Sequence, residues 1–141
     1  MTTSLAERLL FVAGLVELCV PVASLLVPVQ LDWRQTFGVL PVLHRQLVWV
    51  YGGYTLLSIV AIGLITVTNA GELAAGGMLA RSFCGYAFAF WGIRLALVPV
   101  LRVREHLDRW WLRLGYIVLT LAFAYLALIF GWASFARPLT A

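Results

Sequence analysis

The chain contains no lysine and little charge of any kind, with Asp, Glu, Lys and Arg making up 11% of its 141 residues. Soluble domains carry about 25%. It has two cysteines, Cys19 and Cys84, both inside apolar runs and without CxxC spacing. They read as small packing residues, and redox-pair and zinc-knuckle chemistry are excluded. Of the two histidines, His44 and His106, only His44 comes near an apolar segment, so a bis-histidine haem has no ligand pair. No Walker, GxSxG or Rossmann pattern is present, which removes the corresponding nucleotide and acyl-transfer sites. The charged residues form no ladder of the voltage-sensing kind. The arginines are dispersed or lie at segment ends, while the aromatics lie inside apolar runs, so a nucleic-acid partner is not expected.

What is present is apolar surface. Hydrophobic residues make up 63% of the chain, with a mean hydropathy of +0.98. At this size a soluble core has too little volume to hide it. Four long apolar segments are predicted as spans: 5–27, 41–68, 78–101 and 110–135. Each exceeds the roughly 20 residues that cross a bilayer core. The reading is an all-α, polytopic, antiparallel bundle of four transmembrane helices occupying 1–141 as one domain. Beyond Arg8, no basic region precedes the first segment, and Glu17 interrupts it, so it is expected to remain as a helix rather than be cleaved. Arg34, Arg45, Arg102, Arg104, Arg109 and Arg113 lie at or beside the loops after the first and third spans, against Arg8, Arg81 and Arg137 on the other side, so the positive-inside rule puts loops 28–41 and 101–110 in the cytoplasm of a bacterial cytoplasmic (inner) membrane and both termini outside. A weak internal repeat pairs Val27-Pro28-Val29 with Val98-Pro99-Val100, and Gly53–Ser58 with Gly115–Thr120.

The candidate site residues are the polar groups at membrane depth. Glu17 lies eleven positions before Pro28, about 16 Å from that end of its helix. A carboxyl at such depth is costly and usually faces a bundle interior, a cavity or a partner. Arg94 lies five positions before Pro99, about 7 Å in, so a direct ion pair with Glu17 needs helix tilt. Trp91, one turn away, is a stacking partner for Arg94. Counting the same rise from Pro41 brings Gly52, Tyr51 and Tyr54 level with Glu17, so the tyrosine hydroxyls are expected as its hydrogen-bond partners. His44, Tyr51 and Ser58, with Tyr54 and Thr55, mark a polar stripe expected to face the interior. Thr120 completes the expected ligand set of Glu17, His44, Tyr51, Tyr54, Arg94 and Thr120. Trp33, Arg45, Trp49, Trp110 and Trp111 read as interface anchors. Arg104–Asp108 and Glu105–Arg109 have the spacing of helix ion pairs. A metal centre from His44, Glu105, His106 and Asp108 lacks ligand spacing and is not expected.

Together, Ala13-Gly14-Leu15-Val16-Glu17, His44-Arg45-Gln46 with Trp49 and Tyr51, and Trp91-Gly92-Ile93-Arg94 resemble a group of bacterial four-helix integral membrane proteins without an assigned activity. The resemblance covers nearly the whole chain and implies fold and location alone. Length, four spans and an acid in the first are similar to small multidrug resistance transporters, without that family's glycine-rich third helix. The likeness to DoxX-like proteins is architectural. The expected function is binding of a lipid- or quinone-like ligand in a buried polar interhelical site, alone or as an accessory subunit of a larger membrane complex or a homodimer. Proton-coupled transport through Glu17 is the first alternative, and a small membrane enzyme with a cytoplasmic-face site the second. No motif names a cofactor.

Overall fold

The computed structural model describes residues 4–30, 38–100 and 109–136, and all regular structure among them is helical. Helix α1 spans Leu5–Gln30, α2 Val42–Thr68, α3 Ala70–Ala75, α4 Met78–Leu97 and α5 Trp110–Gly131, and a π-helical turn, Trp132–Ala136, follows α5. The α1 segment 5–25, α2, and α5 with the first residues of the π turn are long and apolar enough to cross a membrane. Helix α4 carries Arg81 and Arg94 within 20 residues and is not among them. Without water to satisfy backbone groups, a continuous helix is the form in which such segments close their own hydrogen bonds.

The helix ends depart from expectation in ways the backbone explains. Ser4 Oγ accepts the Glu7 amide at 3.2 Å, a side-chain cap on the first turn of α1. Helix α1 runs through Pro28, where an end was expected, because proline removes one donor without forcing the chain out of helical dihedrals. Helix α2 ends at Thr68 with Asn69 as its cap, as expected, but Ala70 and Gly71 then open α3, which Gly76 ends with a φ of 80°, the left-handed stop that favours glycine. Helix α4 stops at Leu97, two residues before Pro99. Its last carbonyls are taken up by i to i+3 bonds, Val98 N to Leu95 O and Val100 N to Leu97 O, both 3.1 Å. Trp33 and the Asp32–Phe37 interface segment, and the Arg102–Asp108 cluster with His106, lie outside the described residues.

Two hairpins make up the bundle, α1 on α2 and α4 on α5, joined mainly through α1 against α5 and α3. The first depends on two close approaches. A methyl at Gly14 would lie 2.7 Å from Val67 Cγ2 and 3.0 Å from the Val67 amide nitrogen. A methyl at Gly63 would lie 3.0 Å from the Leu18 side chain and 3.4 Å from Glu17 Cγ. Small residues that let backbones meet are how apolar helices associate when lipid competes equally for larger side chains.

This pairing fixes the register. Gly63 stands level with Glu17, and Val67 with Gly14. Counted from Glu17, α1 continues about 20 Å to Gln30, while α2 runs about 32 Å back to Val42. The start of α2 therefore overshoots the end of α1 by about 12 Å.

The core occupies one half of the bundle. Ala6, Leu10, Ala13, Glu17 and Val20 of α1 meet Ile59, Ile62 and Thr66 of α2, Cys84, Ala87 and Trp91 of α4, and Phe123, Leu126, Ala127 and Phe130 of α5. On α4 and α5 the last fully buried residues toward this end are Trp91 and Phe123, beside Glu17, while Val20 and Ile59 continue the core about one turn further on α1 and α2, and Leu95, Val98 and Leu119 pack partly buried against it. Beyond these residues α2 is exposed on every face from Val42 to Thr55, and most of α5 from Trp110 to Val118 is exposed as well.

Gly14→Ala is expected to lower stability by about 1–3 kcal/mol, because the obstruction is partly backbone and cannot rotate away. Gly52→Ala, with nothing within 4 Å, should be neutral or stabilising by up to about 1 kcal/mol. Thermal unfolding of both variants in the same detergent checks the contrast, and equal losses would contradict the described packing.

Candidate functional site

Glu17 is fully buried. It faces the bundle because it continues the stripe Ala6, Leu10, Ala13 at helical spacing. Its partner is Trp91, whose indole Nε1–H donates to Glu17 Oε1 at 2.8 Å. Trp91 is also fully buried and extends the Cys84–Ala87 face of α4. The other carboxyl oxygen, Oε2, has no hydrogen-bond partner. Gly63 on α2 gives the Glu17 side chain its space.

Around this bond is an aromatic cluster. Trp91 stacks on Phe123 with centroids 5.2 Å apart at 28° and meets Phe90 edge-on at 5.3 Å. The Arg94 guanidinium lies over the Phe123 ring, 5.7 Å from its centroid. One side chain of α5 thus carries the indole that holds the acid and the cation one turn further along α4. Arg94 itself is exposed.

The expected ligand set divides. Glu17 and Arg94 share the cluster, linked through Trp91 and Phe123 and not as an ion pair. Trp91 serves the acid, in place of its expected stacking with Arg94. Tyr51 and Tyr54 are each 66% exposed and do not reach Glu17: in the Gly14–Val67 register they stand between about two and a half and three and a half turns beyond it. The offset arises because the ends of α1 and α2 are not level, so equal counts from Pro28 and Pro41 do not give equal depth. His44 is exposed near the start of α2. Thr120 is half-buried and donates to Tyr116 O at 2.8 Å. The polar stripe of α2 is satisfied within its own helix, Thr55 Oγ1 donating to Tyr51 O and Ser58 Oγ to Tyr54 O, both at 2.9 Å. Of the expected interface anchors, Arg45, Trp49, Trp110 and Trp111 are exposed toward the same end of the bundle, and Arg109 lies 5.9 Å over the Trp111 ring.

Two groups escaped the sequence reading. Trp91 as the acid's partner was visible in principle, since positions 84, 87 and 91 keep the spacing of one buried face. The second is a clasp at the far end: Arg81 Nε donates to Ser134 O at 2.9 Å, and Ser134 Oγ donates back to Arg81 O at 3.2 Å. It lies in the π turn after α5, close to the end of the helical run, where backbone carbonyls lack intrahelical partners. No sequence signal marks that turn.

No family model, curated protein or solved structure matches the chain.

Trp91→Phe removes the donor and leaves the buried carboxyl with neither oxygen bonded, a loss of about 1–3 kcal/mol. Adding Glu17→Leu to Trp91→Phe should recover most of that loss, because an apolar pair leaves nothing unsatisfied. Unfolding midpoints of the single and double variants measure the coupling, and strictly additive losses would rule it out.

Proposed function

We propose that this chain is a four-helix integral membrane protein of the bacterial cytoplasmic membrane, with α4 as the fourth span and the arginine-rich ends in the cytoplasm. Its function on this reading is to bind a lipid- or quinone-like ligand, alone or as an accessory subunit of a larger membrane complex. The observation that carries the reading is the orphaned Glu17 oxygen. Buried polar atoms are almost always paired, and an apolar residue at position 17 would complete the core without it. A ligand hydroxyl or carbonyl in contact with this carboxyl would supply the missing partner.

The position of the acid supports the same reading. It sits at the boundary between a closely packed half and a half in which α2 and α5 are largely uncovered. A ligand in the open half would meet Val20, Trp91 and Phe123 as a floor and would reach Glu17 by a small displacement of that layer. The open half is bordered by Tyr116 and Thr120 of α5, Ser58 of α2 and Arg94 of α4, with apolar residues between them. That mixture suits a ligand with a hydrocarbon body and a compact polar head.

Proton-coupled transport is the second reading, favoured by the complete burial of an ionisable group. The two readings separate at Glu17→Gln. An amide keeps hydrogen-bonding capacity but cannot exchange a proton, so binding should persist and proton-coupled uptake should cease. Native mass spectrometry of gently solubilised protein is expected to show a retained small amphiphile. Glu17→Leu should abolish it and Glu17→Gln should not. Equal retention by Glu17→Leu would remove Glu17 from the site, and retained substrate uptake by Glu17→Gln would end the transport reading.

A further inference from the structure

Resting on the ligand-binding reading of the preceding section, we infer that the open half of the bundle selects an anionic amphiphile, with Arg94 as the residue that receives its head.

The first observation is where Arg94 lies. It is one turn beyond Trp91 on α4, over Phe123, and exposed toward the open half. The ring contact positions the guanidinium without using its hydrogen-bond donors. A planar fork of N–H groups next to an apolar wall is suited to a carboxylate or a phosphate monoester.

The second observation is the sign of the charge around it. The described carboxylates are Glu7, Glu17 and Glu72. Glu17 is sealed in the core, while Glu7 and Glu72 belong to the opposite end, near Gly71 and in the first turn of α3. Arg45, Arg94, Arg109 and Arg113 all lie toward the open half. A cationic amphiphile would meet like charge at the level of Arg94, where apolar surroundings weaken screening. An anionic one would meet a charge-assisted donor there.

The third observation is the geometry between the two polar groups. Arg94 and Glu17 are separated by the Trp91–Phe123 stack, so one head group does not bridge them at contact distance. The anion belongs to Arg94, and Glu17 answers a second polar atom further along the same molecule. A long-chain carboxylate with an in-chain oxygen, or a lipid phosphate with a hydroxyl or carbonyl nearby, meets both requirements.

The test uses the full chain in phosphatidylcholine nanodiscs doped in turn with palmitate, hexadecanol or hexadecylamine, with bound stoichiometry read by native mass spectrometry. Palmitate should be retained in preference to the alcohol, and the amine least. Arg94→Gln should lower palmitate retention by about tenfold or more, the worth of one hydrogen bond to a charged group. It should leave hexadecanol unchanged. Arg45→Gln, at the exposed tip of α2, is the control for a general loss of positive charge and should have little effect. Arg94 is exposed, so its variant is expected to fold, and circular dichroism of the nanodisc sample confirms it. Amine retention equal to palmitate, or palmitate binding unaltered in Arg94→Gln, would overturn the assignment while leaving a Glu17-dependent neutral ligand intact. Hexadecanol, whose hydroxyl is the neutral group Glu17 would meet, retained equally by Glu17→Leu would instead remove the underlying binding reading. A monoalkyl phosphate in place of palmitate then separates a carboxylate ligand from a phosphate head group.

Discussion

The bond from the Trp91 indole to the Glu17 carboxyl is the constraint around which the rest of the bundle is arranged. It joins α1 to α4, which belong to different hairpins, and Trp91 is the last fully buried residue of α4 toward that end. To bury the acid, α1 must present its Ala6–Leu10–Ala13 stripe inward, α2 must offer a glycine at position 63, and α4 must bring an indole across from the opposite side. None of this is needed for stability: two apolar residues of similar volume would fill the same space with no polar atom to satisfy. The cost of an acid with one oxygen unbonded is best accounted for by a use for that oxygen.

The difference between the two halves of the bundle follows from the same register. Gly14 against Val67 and Gly63 against Leu18 bring α1 and α2 together at one end. At the other end, Gly52 and Gly53 have nothing within 4 Å. The polar residues in that stretch need no interior to face. Thr55, Ser58 and Thr120 each donate to the carbonyl four residues back, which lets hydroxyls stand on an apolar helix without an interhelical partner.

Much of the helical architecture was legible in the sequence, because long apolar runs and their Gly and Pro punctuation depend on local chemistry. Three of the four expected spans correspond to helices long and apolar enough to cross a membrane. The fourth is a helix in which Arg81 and Arg94 dilute the apolar run. Glu17 and Arg94 were identifiable as the two charges at depth, and both lie in the same cluster. What sequence could not supply was the relative height of the helices. Counting from Pro28 and Pro41 assumes that both mark one plane, and an offset between them of about 16 Å was enough to replace Tyr51 and Tyr54 with Gly63 beside the acid. The stripe containing His44 misled for a related reason, since its hydroxyls are satisfied within α2. The Arg81–Ser134 clasp joins residues 53 positions apart, a pairing that local sequence does not mark.

The two arginines of α4 show how environment, not residue type, assigns a role. Arg81 is half-buried and engaged in a reciprocal pair of bonds with Ser134, so its charge is turned to holding the end of α5 and the turn that follows it. Arg94 stands thirteen residues further along, almost four turns, on the other side of the Glu17 layer. There it meets the face of Phe123, a contact that orients a guanidinium and leaves its N–H edge outward. A cation that only anchored the helix end would reach for head groups along its own stem. One laid over a core aromatic, one turn from the indole that holds the buried acid, is positioned with respect to the core. That is the arrangement expected of a group that receives the head of a ligand whose body lies against the same ring.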